Sequence, residues 1–155
     1  MPNFSYIAVS GAYHLALALW IGGAVALGAL AAPELFRRLP REDAGSIFGS
    51  VLRRFARLRL AAVTIALAAA ATKRVVWENH ASSIWIALRW LALAYLTIVV
   101  VYEIYALEPA MARWRGAMGD SPADPARIAF MRLHKRSEML MKTALMAALA
   151  ALLLG

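Results

Sequence analysis

Four stretches of the chain are apolar for long enough to cross a bilayer, and the polar residues gather between them. This pattern predicts an all-α polytopic membrane protein, an up-down four-helix transmembrane bundle forming one domain over residues 1–155. The expected spans lie at about 6–32, 58–77, 84–107 and 137–154, and the second helix starts early as a cytoplasmic extension over about 42–57.

The first span is expected to stop at Pro33. Its small residues, among them Gly22, Ala24, Ala26 and Gly28, have spacings that let helix backbones approach closely. In the second helix Phe48, Val51, Leu52 and Phe55 recur at three and four, with Arg53, Arg54 and Arg57 turned away from them. Arg59 falls on that apolar stripe and must be paired or reach for the headgroups. The helix then thins into an alanine-rich run suited to a bundle centre. Ser82 or Ser83 caps the third span, whose Trp85, Trp90, Tyr102 and Tyr105 follow the aromatic-belt distribution. Glu108 to Ala126 reads as the one long connection, closed by Asp124-Pro125 as cap and first turn of the last helix.

Charge fixes the expected orientation. The formal charge is +8, but the lysines and arginines crowd the first and third connections, with only Lys73 and Arg74 near the second. That asymmetry follows the positive-inside rule, so nucleic acid is not an expected partner and both termini are expected outside. The start, Met1 to Ser5, lacks the basic region of a signal peptide, and the first apolar stretch is expected to stay as a span. With no cysteine, thiolate metal sites and thiol chemistry drop out.

Polar residues inside the spans are the candidate chemistry, because charge in hydrocarbon needs a partner. Counted from span midpoints at about 1.5 Å per residue, His14 and Arg89 lie about 10 Å outward and Arg59, Glu103 and Glu138 about 10 Å inward. Arg89 and Glu103 share a face of the third span but are about 21 Å apart along it, so each needs a partner elsewhere. His134, Glu138 and Lys142 descend one side of the last helix in steps of four, from the interface towards hydrocarbon. Two polar layers follow: an inner one of Arg59, Glu103, His134, Ser137, Glu138 and Lys142, and an outer one of His14 and Arg89. Each is either an ion-pair lattice fixing helix register or a solvated vestibule. His14 and His134 are roughly 25 Å apart along the membrane normal and cannot share a metal. Met131, Met139 and Met141 could serve copper(I), although methionine on a bundle helix usually fills space. His14 is expected to point into the bundle and to hydrogen-bond another helix.

Tyr13-His14, Trp20 to Gly23, Ala32 to Arg37, Gly45 to Phe55 and Phe130 to Ser137 together resemble the bacterial domain of unknown function 4149, the family similar to transmembrane protein 205. The resemblance covers most of the chain, and its most specific piece is Leu133-His134-x-x-Ser137. His14 to Gly23 is similar also to copper-resistance-D-type and HemJ-type membrane proteins; the latter would imply haem-linked oxidation of protoporphyrinogen. After Ser137 the chain is more charged than the pattern. The family resemblance implies a four-helix protein of the bacterial inner membrane. The functional expectation is non-enzymatic handling of a small solute or metal ion without a cofactor, or service as an accessory subunit; the alternative is a haem-binding oxidoreductase using His14. The bilayer is the expected partner, and a homo-oligomer or larger membrane complex stays open.

Overall fold

A computed structural model describes residues 4–79, 83–119, 121 and 123–155. The chain is all-helical, with four helices in a bundle: α1 (Phe4–Arg38), α2 (Arg41–Val76), α3 (Ile84–Gly116) and α4 (Pro125–Leu153). Leu39 breaks α1 from α2, because the residue before a proline is driven out of helical space; it is extended at φ −118°, ψ 154° ahead of Pro40. Ser83 caps α3 by accepting from the Trp85 amide at 3.2 Å. The alternative cap, Ser82, lies outside the described residues. Asp124 caps α4, accepting from the amides of Ala126 at 2.9 Å and Gly119, with Pro125 in the first turn.

α1 runs on through Pro33 and α3 through Pro109, which corrects the expected stop at Pro33 and the expected end of the third helix near 107. A proline lacks the N–H and its ring presses on the carbonyl one turn back. Here a wide π turn precedes each ring, at Ala26–Ala31 and Glu103–Leu107, with the Ala32 amide donating to the Leu27 carbonyl and Glu108 to Glu103. α1 therefore runs on to Arg38 and α3 to Gly116, and the long connection shrinks to residues 117–124.

Among the described residues three helices, α1 to α3, are long and apolar enough to cross a membrane. The fourth expected span, 137–154, is not one of them. Charges continue along α4 as far as Lys142, leaving an apolar stretch after it of only about 18 Å, short of the roughly 30 Å of hydrocarbon.

Each helix packs on its chain neighbours, and α4 closes the ring against α1. Tyr6 meets Trp77 and Tyr13 meets Ala151 at one end; Phe36 meets Phe48 and Arg115 meets Phe130 at the arginine-rich end. The core sets large against small: Tyr13, Leu17 and Trp20 of α1 and Leu93, Leu96 and Val100 of α3 bury against Ala62, Ala66 and Ala70 of α2 and Ala144, Ala148 and Ala151 of α4. Alanine brings the backbones near enough for the large side chains to fill the space, so enlarging Ala66 or Ala148 should cost about 1–3 kcal/mol. Close approach in α1 occurs at Gly23, where a Cβ would overlap the Phe55 ring, whereas Gly22 and Gly28 have open space around them. Leu15, Leu30, Ile65, Leu91, Ile98 and Met146 are exposed on the outside of the ring, as lipid contact requires.

Candidate functional site

Within the expected span of α2, from residue 58 onward, the buried line begins and ends with a cation. Arg59, Ala62, Val63, Ala66, Ala69, Ala70 and Lys73 share one face at three- and four-residue steps, and all are buried. α3 has the matching line Arg89, Leu93, Leu96, Val100 and Glu103. Arg59 to Lys73 and Arg89 to Glu103 each span fourteen residues, about 21 Å of helix. Because α2 and α3 run in opposite directions, Arg59 comes level with Glu103 and Lys73 with Arg89. The relative exposures are 4% for Arg59, 6% for Glu103, 1% for Lys73 and 2% for Arg89, so all four must be compensated within the fold.

In the inner layer Arg59 Nη1 lies 2.7 Å from Glu103 Oε2. Its guanidinium also sits 5.7 Å from the Trp20 ring centroid and 5.5 Å from that of Phe55, and Nη1 approaches Met141 Sδ at 3.5 Å. The pair is a charge contact rather than an aligned hydrogen bond. Arg59 Nε, both Glu103 carboxylate oxygens and Trp20 Nε1 are buried without a hydrogen-bond partner among the described residues. Beside them is a chamber of about 60 Å³ lined by Arg59, Glu103, Ser137 and Met141. That exceeds the roughly 15 Å³ one water requires, and the orphaned atoms supply the polar partners a water needs.

The chamber adjoins a second, larger space. Arg53, Ala56 and Glu108 line both the chamber and this cleft of about 450 Å³, whose other walls are Ser50, Arg54, Arg57 and Ile104. Arg53 and Glu108 face each other loosely, at 3.8 Å. Glu103 and Glu108 bracket the π turn of α3, which turns both carboxylates towards α2.

The outer layer is built differently. Arg89 binds Glu78 through both terminal guanidinium nitrogens, Nη1 to Oε1 at 3.1 Å and Nη2 to Oε2, while its Nε is buried without a hydrogen-bond partner among the described residues. Arg74 donates to the Glu78 carbonyl. These Arg89 hydrogen bonds hold the Glu78 carboxyl below its ordinary value, aided by the positive charges of Arg89, Lys73 and Arg74. The Lys73 ammonium lies 5.5 Å from the Tyr6 ring and 5.6 Å from Tyr13, and the Tyr13 hydroxyl donates to the Ala151 carbonyl at 2.6 Å.

Several residues stand elsewhere than the sequence suggested. His14 does not point into the bundle: its Nδ1 is 2.7 Å from the Ser10 carbonyl of its own helix, and Ala18, Val25 and Gly28 on its face are exposed. The inward side chain is its neighbour Tyr13. On α4 the buried line runs through Ala144, Ala148 and Ala151, with Ser137 and Met141 reaching the chamber. His134, Glu138 and Lys142 are therefore rotated to the exposed side; His134 stacks on Phe130 and lies 3.6 Å from Glu138. Short side chains let α4 approach, while long charged ones can reach water from its outer face. Met131 and Met139 are exposed and do not join Met141. Among the described residues no three of histidine, aspartate and glutamate come together as a metal site. Lys73, Glu78, Trp20 and Glu108 are site residues that the sequence reading passed over. For Lys73 the signal was present, two heptads beyond Arg59 on the same face.

No curated protein and no solved structure matches the chain. The family model described as "domain of unknown function" DUF4149 matches residues 15–119, which takes in α1 from Leu15 onward, α2 and α3, but leaves out Tyr13-His14, α4 and Leu133 to Ser137. A match over that much of the chain makes this protein, with its three candidate membrane spans, a member of the DUF4149 family.

Proposed function

We propose that this protein is a non-enzymatic solute-binding protein of the bacterial inner membrane, and that the space between α2, α3 and α4 is its binding vestibule. The arginine-rich end faces the cytoplasm and both termini lie outside, which requires α4 to cross despite its short apolar stretch: its 29 residues reach about 43 Å, and the exposed Arg132, Lys135, Arg136 and Lys142 can extend to the headgroups. The lysine and arginine asymmetry supports that orientation. A reporter fused to the C-terminus should report an external location; cytoplasmic activity there would reverse the assignment.

One observation carries the functional reading: the surface cleft and the chamber beside the Arg59–Glu103 pair share Arg53, Ala56 and Glu108, so the two spaces adjoin across those side chains. A lattice that only fixed register would close around its ions, since every unmatched polar atom costs about 1–3 kcal/mol. Here those atoms stand beside a chamber that adjoins the surface cleft. Arg59, Glu103 and Ser137 are the ligand-facing groups, with Arg53 and Glu108 at the threshold. The three guanidinium groups around the cleft repel cations, which argues against a metal ion as cargo and for an anionic solute.

Thermal unfolding of the purified protein tests this with inorganic phosphate, glycerol 1-phosphate, acetate and succinate at matched ionic strength. At least one should raise the melting temperature saturably, because binding to the native state alone stabilises it. The shift should vanish in Arg59→Met/Glu103→Leu. No saturable shift with any of the four would sink the reading.

A further inference from the structure

The larger cleft has a chemistry of its own. Arg53, Arg54 and Arg57 occupy adjoining positions on the fourth and fifth turns of α2, just before the buried Arg59, and all three are exposed. Facing them, α3 offers a single carboxylate, Glu108, held only loosely by Arg53. The cleft thus has three guanidinium groups against one carboxylate, an excess of two positive charges. Guanidinium forks match phosphate oxygens in geometry as well as charge. A volume of about 450 Å³ lies within the range of sites that enclose small ligands, about 300–1,000 Å³.

The walls are not polar throughout. Ile104 and Ala56 line the cleft beside the arginines. Towards the bundle centre, the face of α2 carrying Arg57 continues through Ala61, Thr64 and Ala68, all small and exposed. The Thr64 hydroxyl is spent on the Leu60 carbonyl at 2.8 Å, so this strip offers no free donor. The depth follows from the same helix: Arg57 stands just before Leu58, where hydrocarbon is expected to begin, so the cleft is level with the headgroups of the leaflet. Cationic above and apolar below is the order of groups in an anionic lipid.

We propose that this cleft binds the phosphate of an anionic glycerophospholipid from the adjacent leaflet, with the acyl chains lying along Ala61, Thr64 and Ala68. The phosphate sits between Arg54 and Arg57, and Arg53 remains shared with Glu108. The headgroup then points towards the chamber, where Glu103 accepts a hydrogen bond from a headgroup hydroxyl. The proposal names the ligand class of the vestibule and rests on that reading for the entry of the headgroup into the chamber.

Native mass spectrometry of the full chain, offered phosphatidylglycerol or phosphatidylcholine, tests it. Phosphatidylglycerol should be retained over phosphatidylcholine by about thirtyfold, the worth of two guanidinium groups at an anionic headgroup. Arg54→Gln/Arg57→Gln should abolish that preference. Both residues are exposed, so the melting temperature of the variant should be unchanged. Arg37→Gln/Arg38→Gln, which removes the same charge beside Glu34 and outside the cleft, should keep the preference. Equal retention of the two lipids, or a preference that survives Arg54→Gln/Arg57→Gln, would overturn the proposal. Glycerol 1-phosphate binding as tightly as phosphatidylglycerol would also overturn it, making the ligand a free phosphate and leaving the vestibule intact. An undiminished preference in Arg59→Met/Glu103→Leu would support the lipid site while removing the chamber from it.

Discussion

The two polar layers of the bundle use the same positions on the same two helices and solve the problem of buried charge in opposite ways. The outer layer buries two cations, Lys73 and Arg89, and leaves one polar atom, Arg89 Nε, unpartnered among the described residues: Glu78 grips Arg89 at both terminal nitrogens while Tyr6 and Tyr13 cover the ammonium. In the inner layer Arg59 and Glu103 are matched one to one, yet the contact is misaligned, four polar atoms lack partners and a chamber opens beside them. Charge balance alone would make the inner layer the tighter of the two. Its looseness is the property on which the proposed vestibule rests.

The largest expected effect lies in the sealed layer. Glu78→Ala leaves Arg89 and Lys73 buried without a counter-ion, and should lower unfolding stability by about 3–5 kcal/mol. A loss under about 1 kcal/mol in denaturant titration would show that the outer layer is solvated after all.

Next comes the inner pair, tested as a double-mutant cycle. Arg59→Met or Glu103→Leu alone should cost on the order of 3 kcal/mol, whereas the two together should cost much less, since an apolar pair replaces the desolvated ions. Additive losses would mean that Arg59 and Glu103 do not depend on one another. The same cycle on the Arg89–Glu78 pair should leave a larger residual loss, because Lys73 stays buried beside it.

The pH dependence of stability separates the layers further. The folded-state pKa of Glu78 is depressed, so its contribution is present above the ordinary glutamate value of 4.5 and is lost as pH falls through the folded value. The stability difference between the protein and Glu78→Gln should therefore shrink on acidification from neutral pH to below 4.5. A difference that stayed constant would mean that Arg89 does not hold the carboxylate.

The smallest effect is expected at His14, whose bond to Ser10 stays within one turn of α1. His14→Ala should change stability by under about 0.5 kcal/mol, as for surface sites. A loss of 2 kcal/mol or so would restore a partner on another helix.

Much of this was legible in the sequence. Helix number, the cap at Asp124, the arginine stem of α2 and the depth shared by Arg59 and Glu103 all follow from apolar period and charge placement. Rotation was less legible. His14 and Tyr13 differ by one position, as do Lys142 and Met141, and a hundred-degree error exchanges lipid for core. In an apolar span every face looks buried, so periodicity gives little warning. Pro33 misled because a π turn can absorb a proline, and no single residue announces that turn. Glu78 was passed over because it lies in a short turn, beyond the helices on which partners were sought.

Water access distinguishes the layers most directly. The chain has no cysteine, so single cysteines report cleanly. Ser137→Cys places a thiol at the inner chamber, and Ala70→Cys places one in the sealed core near Lys73. A membrane-impermeant thiol reagent applied from the arginine-rich side should modify Ser137→Cys in the folded protein and leave Ala70→Cys untouched until unfolding. Protection of both thiols alike would mean that the inner layer is as closed as the outer one, and the vestibule does not exist.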